Sequence, residues 1–196
     1  MFAKERRHAI FVNTNSEDIP GGVEISSTPT MSQIFRHRRI VWGGDPFTII
    51  NALQGREWVD KLYKYVQCLQ EEQFLPSSLR EKPWMTIYVD EAYNIAANGS
   101  RQTGLHILAM QGRRHGIIVV PMSQRVADVD KSIVHNCPRK IVFYVEEAER
   151  KYFETRLGVP IDDTTYAWIQ QKYHRAERGP GDRAWTLHKP IGTASR

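Results

Sequence analysis

The stretch Trp84-Met85-Thr86-Ile87-Tyr88-Val89-Asp90-Glu91-Ala92 decides how this chain is read. Its first six residues are almost continuously apolar and partly β-branched, as expected of a strand covered on both faces. The run then stops at two adjacent carboxylates. Neighbouring side chains on a strand point to opposite faces, so Asp90 and Glu91 can take different tasks where the strand ends. One reading makes them the start of the next helix, where acids complement the dipole. The other makes them a metal-holding acid and a general base.

Working outward, apolar runs and amphipathic stretches alternate. Ala9–Val12, Val23–Ser26 and Arg39–Trp42 read as short strands, and Gly116–Met122 and Lys140–Val145 as buried ones. Glu57–Gln73 is the clearest helix, with Trp58, Leu62, Tyr65, Val66 and Leu69 on one stripe and Pro76 stopping it. Arg101–Gln111 reads as a helix capped by Gly112, Glu146–Leu157 as one capped by Gly158, and Tyr166–His174 as another. Arg178–Asp182 reads as a loop and Ala184–His188 as a last strand. Alternation of this kind predicts an α/β fold: a mostly parallel sheet with helices on both faces, joined by right-handed crossovers. We expect a single domain over residues 1–190, with its core at 84–158 and a disordered tail at 191–196. In such sheets ligands sit at the C-terminal ends of the strands.

That rule selects the candidate site. Asp90 and Glu91 end one buried strand, and Ser123 and Gln124 end the next. If the two strands are neighbours, a neutral amide at Gln124 reaches the same pocket and can hold a water or a phosphate oxygen; otherwise Ser123 simply caps the following turn. The basic turn Gly112-Arg113-Arg114-His115 falls at the opposite, N-terminal edge. If Arg113 or Arg114 takes part in catalysis it would therefore act across a subunit boundary, with Arg101 and Arg125 competing for that role; otherwise this is a solvated basic turn or a cation pair at a helix C-terminus. Lys172, Arg175 and Arg178, with His174 and Arg183 nearby, form a candidate surface for nucleic acid or for another subunit; the plainer reading is a solvated helix and loop.

The formal net charge is +5 and the pI about 9.3. This fits either a mildly basic soluble surface or a polyanionic partner. No apolar run approaches the ~20 residues needed to span a bilayer, and Met1–Arg7 lacks the apolar stretch of a secretory signal. Cys68 and Cys137 suggest no disulfide framework and fit a reducing compartment. His135, Cys137, His106 and His115 lack the paired spacing of a zinc site. The five tryptophans (42, 58, 84, 168, 185) read as core and interface anchors rather than base-stacking platforms.

Taken in order and spacing, several segments resemble the FtsK–HerA superfamily of ring-forming P-loop ATPases, especially its viral genome-packaging members. They are Trp84–Ala92, Gly112–Ile117, Met122-Ser123-Gln124-Arg125, Val129–Ile133 and Cys137–Phe143. The resemblance spans residues 84–158; residues 1–83 fit more loosely, with Ala9–Asn13 similar to the strand after the P-loop helix. It implies a RecA-like core in which Asp90 and Glu91 are the Walker B acids, Asp90 on Mg²⁺, with Ser123 beside the nucleotide and Gln124 as polar sensor. It also implies ATP as cofactor, an oligomeric ring, double-stranded DNA and a capsid or portal component as partners, and a place in the host cytoplasm or the virion. The phosphate loop G-x-x-x-x-G-K-[ST] is absent: Gly21-Gly22, Gly43-Gly44 and Gly179-Pro180-Gly181 all lack its Gly-Lys-Ser/Thr ending. The core is thus read as lacking its first strand and P-loop, which would lie just before Met1. The intact acids and Gln124 favour truncation over degeneration. Enzymatic activity is therefore conditional on that loop. The rival readings are a non-catalytic scaffold that binds DNA or a partner ring, and a phage-extrusion ATPase of the zonula-occludens-toxin-like group.

Overall fold

The structure is a computed structural model, and it describes residues 8–15, 18–71 and 85–190. The basic stretch Met1–Arg7, the Pro76 helix stop, Trp84 and the tail 191–196 lie outside the described residues, as does the side chain of Leu69. Where the sequence reading places one domain over 1–190, the chain divides into two compact units, residues 1–133 and 134–196.

The first unit holds a five-stranded sheet in the order β2-β3-β1-β4-β5. Its strands are β1 (His8–Val12), β2 (Val23–Ile25), β3 (Arg39–Trp42), β4 (Met85–Val89) and β5 (Ile117–Pro121). Every pairing is parallel, so all the C-terminal ends share one edge. β4 lies between β1 and β5, and all five of its residues are buried, as its unbroken apolar run requires.

The register puts Ile10, Val12, Ile40, Trp42, Ile87 and Val89 on one face. Helices α1 (Met31–Arg36), α2 (Pro46–Gln54), α3 (Glu57–Glu71) and α4 (Gly104–Gln111) belong to the same unit. α3 buries Trp58, Leu62 and Val66, as its periodicity predicts, and Val59 and Tyr63 beside them. Trp58 meets Trp42 with ring centres 5.1 Å apart, and its indole N–H donates to the carbonyl of Pro29 at 3.0 Å. That satisfied polar tip lets a large ring enter the core. The other face carries a smaller cluster: Ala9, Val41 and Tyr88, packed by Phe11, Ile19, Val120 and Met122.

Two helices that the sequence reading passes over have legible starts. Thr30 and Gln33 form a capping box at α1. The Asp45 carboxylate accepts from the amides of Phe47 and Thr48, with Pro46 at the first position of α2. α4 starts on a capping box in which His106, not the usual Glu or Gln, bonds back to Thr103. Gly104 is required there, because a Cβ would run into the backbone carbonyls of Gly55 and Leu53. α4 ends at Gly112, but Gly112 keeps a right-handed conformation and a short 3₁₀ turn, Gly112–His115, follows. The left-handed residue is Gly116, at φ 73°, and it turns the chain directly into β5.

The second unit corrects the sequence reading in two places. β6 (Lys140–Val142) is not a further strand of the parallel sheet; it pairs antiparallel with β7 (Arg175–Arg178), which pairs antiparallel with β8 (Thr186–His188). The helix expected over Tyr166–His174 is α7 (Asp163–Ile169), begun by the Asp162 cap, and the chain turns at 170–174 into β7. Arg175–Arg178 has too little apolar content for a strand to be visible in sequence; only Ala176 is buried. α5 (Lys131–Asn136) precedes β6, and α6 (Glu147–Leu157) ends on left-handed Gly158 as expected.

Candidate active site

The chain leaves β1 toward β3 and β2, and leaves β4 toward β5. The direction of winding therefore reverses between β1 and β4. In open parallel sheets the crevice outside the C-terminal ends at such a reversal is where ligands bind. The residues at these ends are Asn13, Thr14 and Asn15 after β1, Asp90 and Glu91 after β4, and Ser123 and Gln124 after β5.

They are bonded to one another across the strand ends. The Asp90 amide donates to the carbonyl of Val12 at 3.1 Å. The Thr14 hydroxyl donates to the Asp90 carbonyl at 3.0 Å, and the Asn15 side-chain amide donates to Oδ2 of Asp90 at 3.0 Å. On the other side, the Met122 amide donates to the carbonyl of Val89 at 2.8 Å, and the Ala92 amide to the carbonyl of Met122 at 2.9 Å. Glu91 is buried, and its Oε2 accepts from the backbone amide of Gln124 at 3.4 Å. Its backbone is left-handed, at φ 42° and ψ 55°. Such a conformation is costly for a residue with a side chain, and it persists where the surroundings over-determine it.

The structure thus brings together Asp90, Glu91, Ser123 and Gln124, as the sequence reading expects. Two details differ. Gln124 meets Glu91 through its backbone, and its residue is exposed. Ser123 accepts the Arg125 amide at 2.9 Å on its hydroxyl, the turn-capping alternative. Asn15 and Thr14 join the acids at this edge and are not among the candidate residues of the sequence reading. The signal was present: polar residues directly after an apolar strand, at the sheet edge where the acids also lie.

Arg113 and Arg114 are exposed, in the turn before β5. They stand at the N-terminal edge, separated from the acids by the length of β5, ~16 Å at ~3.3 Å per residue. His115 of the same turn stacks on Tyr63 with ring centres 4.0 Å apart, and the Tyr63 hydroxyl donates to the carbonyl of Ile107 at 3.1 Å. Arg125 pairs with Asp128 at 2.9 Å and lies 5.7 Å from the Tyr93 ring centre. Arg101 is exposed. Lys172, Arg175 and Arg178 belong to the second unit.

His106 is buried within its capping box, with Nδ1 3.0 Å from the Thr103 amide and Nε2 3.4 Å from Oδ1 of Asp130. Asp130 also accepts the Ser132 amide at 2.8 Å and hydroxyl at 2.6 Å, and the Gly99 amide at 3.4 Å. Burial alone would raise the Asp130 carboxyl; the bonds from Ser132 and Gly99 and the charge of His106 outweigh it, and the group is lowered. This clasp joins the segment after the acids to the segment after β5. Cys68 and Cys137 are free thiols.

Mg²⁺ takes oxygen ligands from one or two carboxylates plus phosphates and waters. Asp90, with one oxygen fixed by Asn15, fits that demand. No group of three His, Cys, Asp or Glu side chains able to hold a metal occurs among the described residues. Phosphates are a different matter: no glycine-rich loop with its lysine lies among the described residues at this edge. Two adjacent carboxylates of the kind that hydrolytic sites use stand at this edge, and among the described residues no phosphate cradle stands beside them.

No protein-family model matches the chain, and no curated protein matches its sequence. Solved structures do match. The chain shares its fold with a viral genome-packaging NTPase. The genome packaging NTPase B204 from Sulfolobus turreted icosahedral virus 2, in complex with AMPPCP, superposes with a TM-score of 0.63 at 17% identity, over 94% of this chain and 83% of that one. Its complex with sulfate gives 0.64 at 16%, over 95% and 82%. B204 described as the DNA-packaging ATPase from Sulfolobus turreted icosahedral virus gives 0.61 at 18%, over 95% and 84%. At these identities the likeness establishes the fold: α/β, P-loop NTPase-like, with a parallel sheet flanked by helices.

Proposed function

We propose that this chain carries the catalytic acids of an ATP-driven nucleic-acid translocase of the viral DNA-packaging kind. The observation that carries the reading is Glu91: a buried carboxylate in left-handed backbone, at the C-terminal end of a fully buried parallel strand, next to Asp90. ATP and Mg²⁺, when bound, would supply the reacting phosphoryl group and the charge that orients it. Asp90, steadied by Asn15, would hold the metal. Glu91 would take the proton of the attacking water through its carboxylate, with the Gln124 amide fixing the carboxylate's direction. The nucleotide-bound B204 structures support nucleotide binding at this fold.

A phosphate loop is part of this reading, and the open edge of β5 offers a place for a strand that carries one. Among the described residues β5 pairs only with β4. Its ladder with β4 runs through residues 118 and 120, so the amide of Val119 and the carbonyls of Ile117 and Val119 face the open side. In this reading a strand laid parallel along that edge would deliver its C-terminal loop beside Glu91 and Gln124. Copies would assemble as a ring that presents Arg113 or Arg114 to the next copy's site, on double-stranded DNA and a capsid or portal, in the host cytoplasm or the virion. No described helix is long and apolar enough to cross a membrane, which gives the extrusion-ATPase reading no support.

The test is Mg²⁺-ATP hydrolysis by this chain, with and without double-stranded DNA, beside Glu91→Gln. Turnover that rises with DNA and falls ~10²–10⁴-fold in Glu91→Gln supports the proposal. Restoring a strand with the phosphate loop is the second arm. If neither form binds nucleotide even then, the chain is a non-catalytic scaffold.

A further inference from the structure

In the second unit, the turn between α7 and β7 is held firmly from below. Trp168 packs on His174 with ring centres 4.3 Å apart. The Trp168 indole N–H donates to the carbonyl of His188 at 3.2 Å, and the His174 amide closes the turn on the carbonyl of Gln171 at 3.0 Å. At its apex stands Tyr173, with φ of 63°.

Glu91 and Tyr173 are the non-glycine residues with positive φ among those described. A bulky side chain in this region is strained, and glycine or asparagine meets the same geometry more easily. Strain of this kind is ordinarily tolerated where packing or chemistry requires the side chain. Packing does not require this one: Tyr173 is 71% exposed. Exposure leaves the ring open to something outside the chain.

Its neighbours define what that is. Lys172 Nζ lies 5.0 Å from the Tyr173 ring centre, and Arg175 opens β7 two residues on. Arg178 is committed to its own loop, its Nε donating to the carbonyl of Asp182 at 2.9 Å. An acidic protein partner would need the cations but not a strained, outward ring. A nucleic-acid strand with unpaired bases uses both: a base face stacks on the aromatic ring while the flanking phosphates meet the cations. We propose that Tyr173 is a stacking platform for an unpaired nucleic-acid base, with Lys172 and Arg175 neutralising the adjoining phosphates. This rests on the nucleic-acid part of the reading above, widened from the duplex to an unpaired strand, and not on ATP hydrolysis.

The experiment measures binding of a labelled 20-nucleotide single strand by anisotropy, without nucleotide, alongside thermal unfolding. Tyr173→Gly is expected to weaken binding about tenfold, while its unfolding midpoint stays at or above that of the parent because strain is relieved. Tyr173→Phe keeps affinity within about twofold. Replacing Lys172 and Arg175 by Ala lowers the slope of log affinity against log salt by about 1.4, at ~0.7 per phosphate contact. If the parent binds and Tyr173→Gly binds equally well, or unfolds at lower temperature, the platform is overturned. Equal sensitivity of a fully paired duplex to Tyr173→Gly also overturns it, since paired bases offer no open face. A parent chain that binds neither strand nor duplex at low salt sinks the nucleic-acid reading itself.

Discussion

The two ends of the parallel sheet could hardly differ more. At the C-terminal end, Asn13, Thr14 and Glu91 are buried, and hydrogen bonds run across the strand ends from Asn15 through Asp90 and from Glu91 to Gln124. At the N-terminal end, Arg36, Arg38, Arg113 and Arg114 are exposed, and Arg36–Arg39 line an open cleft of about 500 Å³ with Gly21 and Gly22. Parallel pairing is what sorts them. It gathers every strand's exit at one edge and every entry at the other, so a carboxylate that follows one strand and a cation that precedes the next are held apart. Within one copy they cannot cooperate. In the proposed ring they would meet between copies, and the following experiments break that contrast or sharpen it.

The largest effect is expected where the ends would meet. With the phosphate loop supplied, replacing Arg113 and Arg114 together by Ala should lower turnover ~10³-fold or more, as loss of a trans-acting arginine does. Mixing that variant with Glu91→Gln should then restore turnover, because some interfaces join intact acids to intact arginines. A mixture as inactive as its components would show that the two ends do not serve one site.

Next comes the network at the acid end. Asn15→Ala should raise the Mg²⁺ concentration for half-maximal turnover by ~10–100-fold, the usual cost of removing a residue that orients a metal ligand. Unchanged Mg²⁺ dependence would reduce Asn15 to a surface residue. A third change tests the helix that connects the two ends. Gly104→Ala should destabilise the fold by ~1–3 kcal/mol in denaturant titration, because a Cβ meets the carbonyls of Gly55 and Leu53.

The smallest effect concerns pH. The Asp130 carboxyl is lowered in the folded chain, so below the ordinary Asp value of about 3.9 the unfolded state holds more protons. Its contribution, of order 1 kcal/mol, is complete above that value and drains as pH falls through the folded one. Asp130→Asn should flatten the acid limb of a pH–stability curve; an identical curve would dismiss the clasp.

Much of the first unit was legible because its signals are local. β4 and β5 announce themselves as apolar runs, and Trp58, Leu62 and Val66 mark α3 by spacing alone. The position of the acids follows from a general rule about parallel strands. What stayed hidden depends on contacts between distant residues. Asn15 pairs with Asp90 across 75 positions, so the residues around Asn15 could not reveal its partner. His106 stands where a capping box normally has Glu or Gln. β7 reads as Arg-Ala-Glu-Arg and becomes a strand only because β6 and β8 lie on either side of it. Lys140–Val142 is apolar enough to suit either kind of sheet, and nothing in its own residues chooses the antiparallel one.

Glu91 is fastened to two strands at once: its backbone continues β4, and its carboxylate is tied to the amide that follows β5. A motor subunit has to turn sliding between its parts into chemistry, or the reverse. If this chain works as proposed, the carboxylate would act as a coupling pin between β4 and β5. A shear of ~1 Å between those strands, such as a new neighbour on β5 or a pull on the segment after it could produce, would move the base by an amount that can change a rate ~10²-fold. Under the proposed function, Glu91 would then also be a gauge of whether the strands beside it are in register.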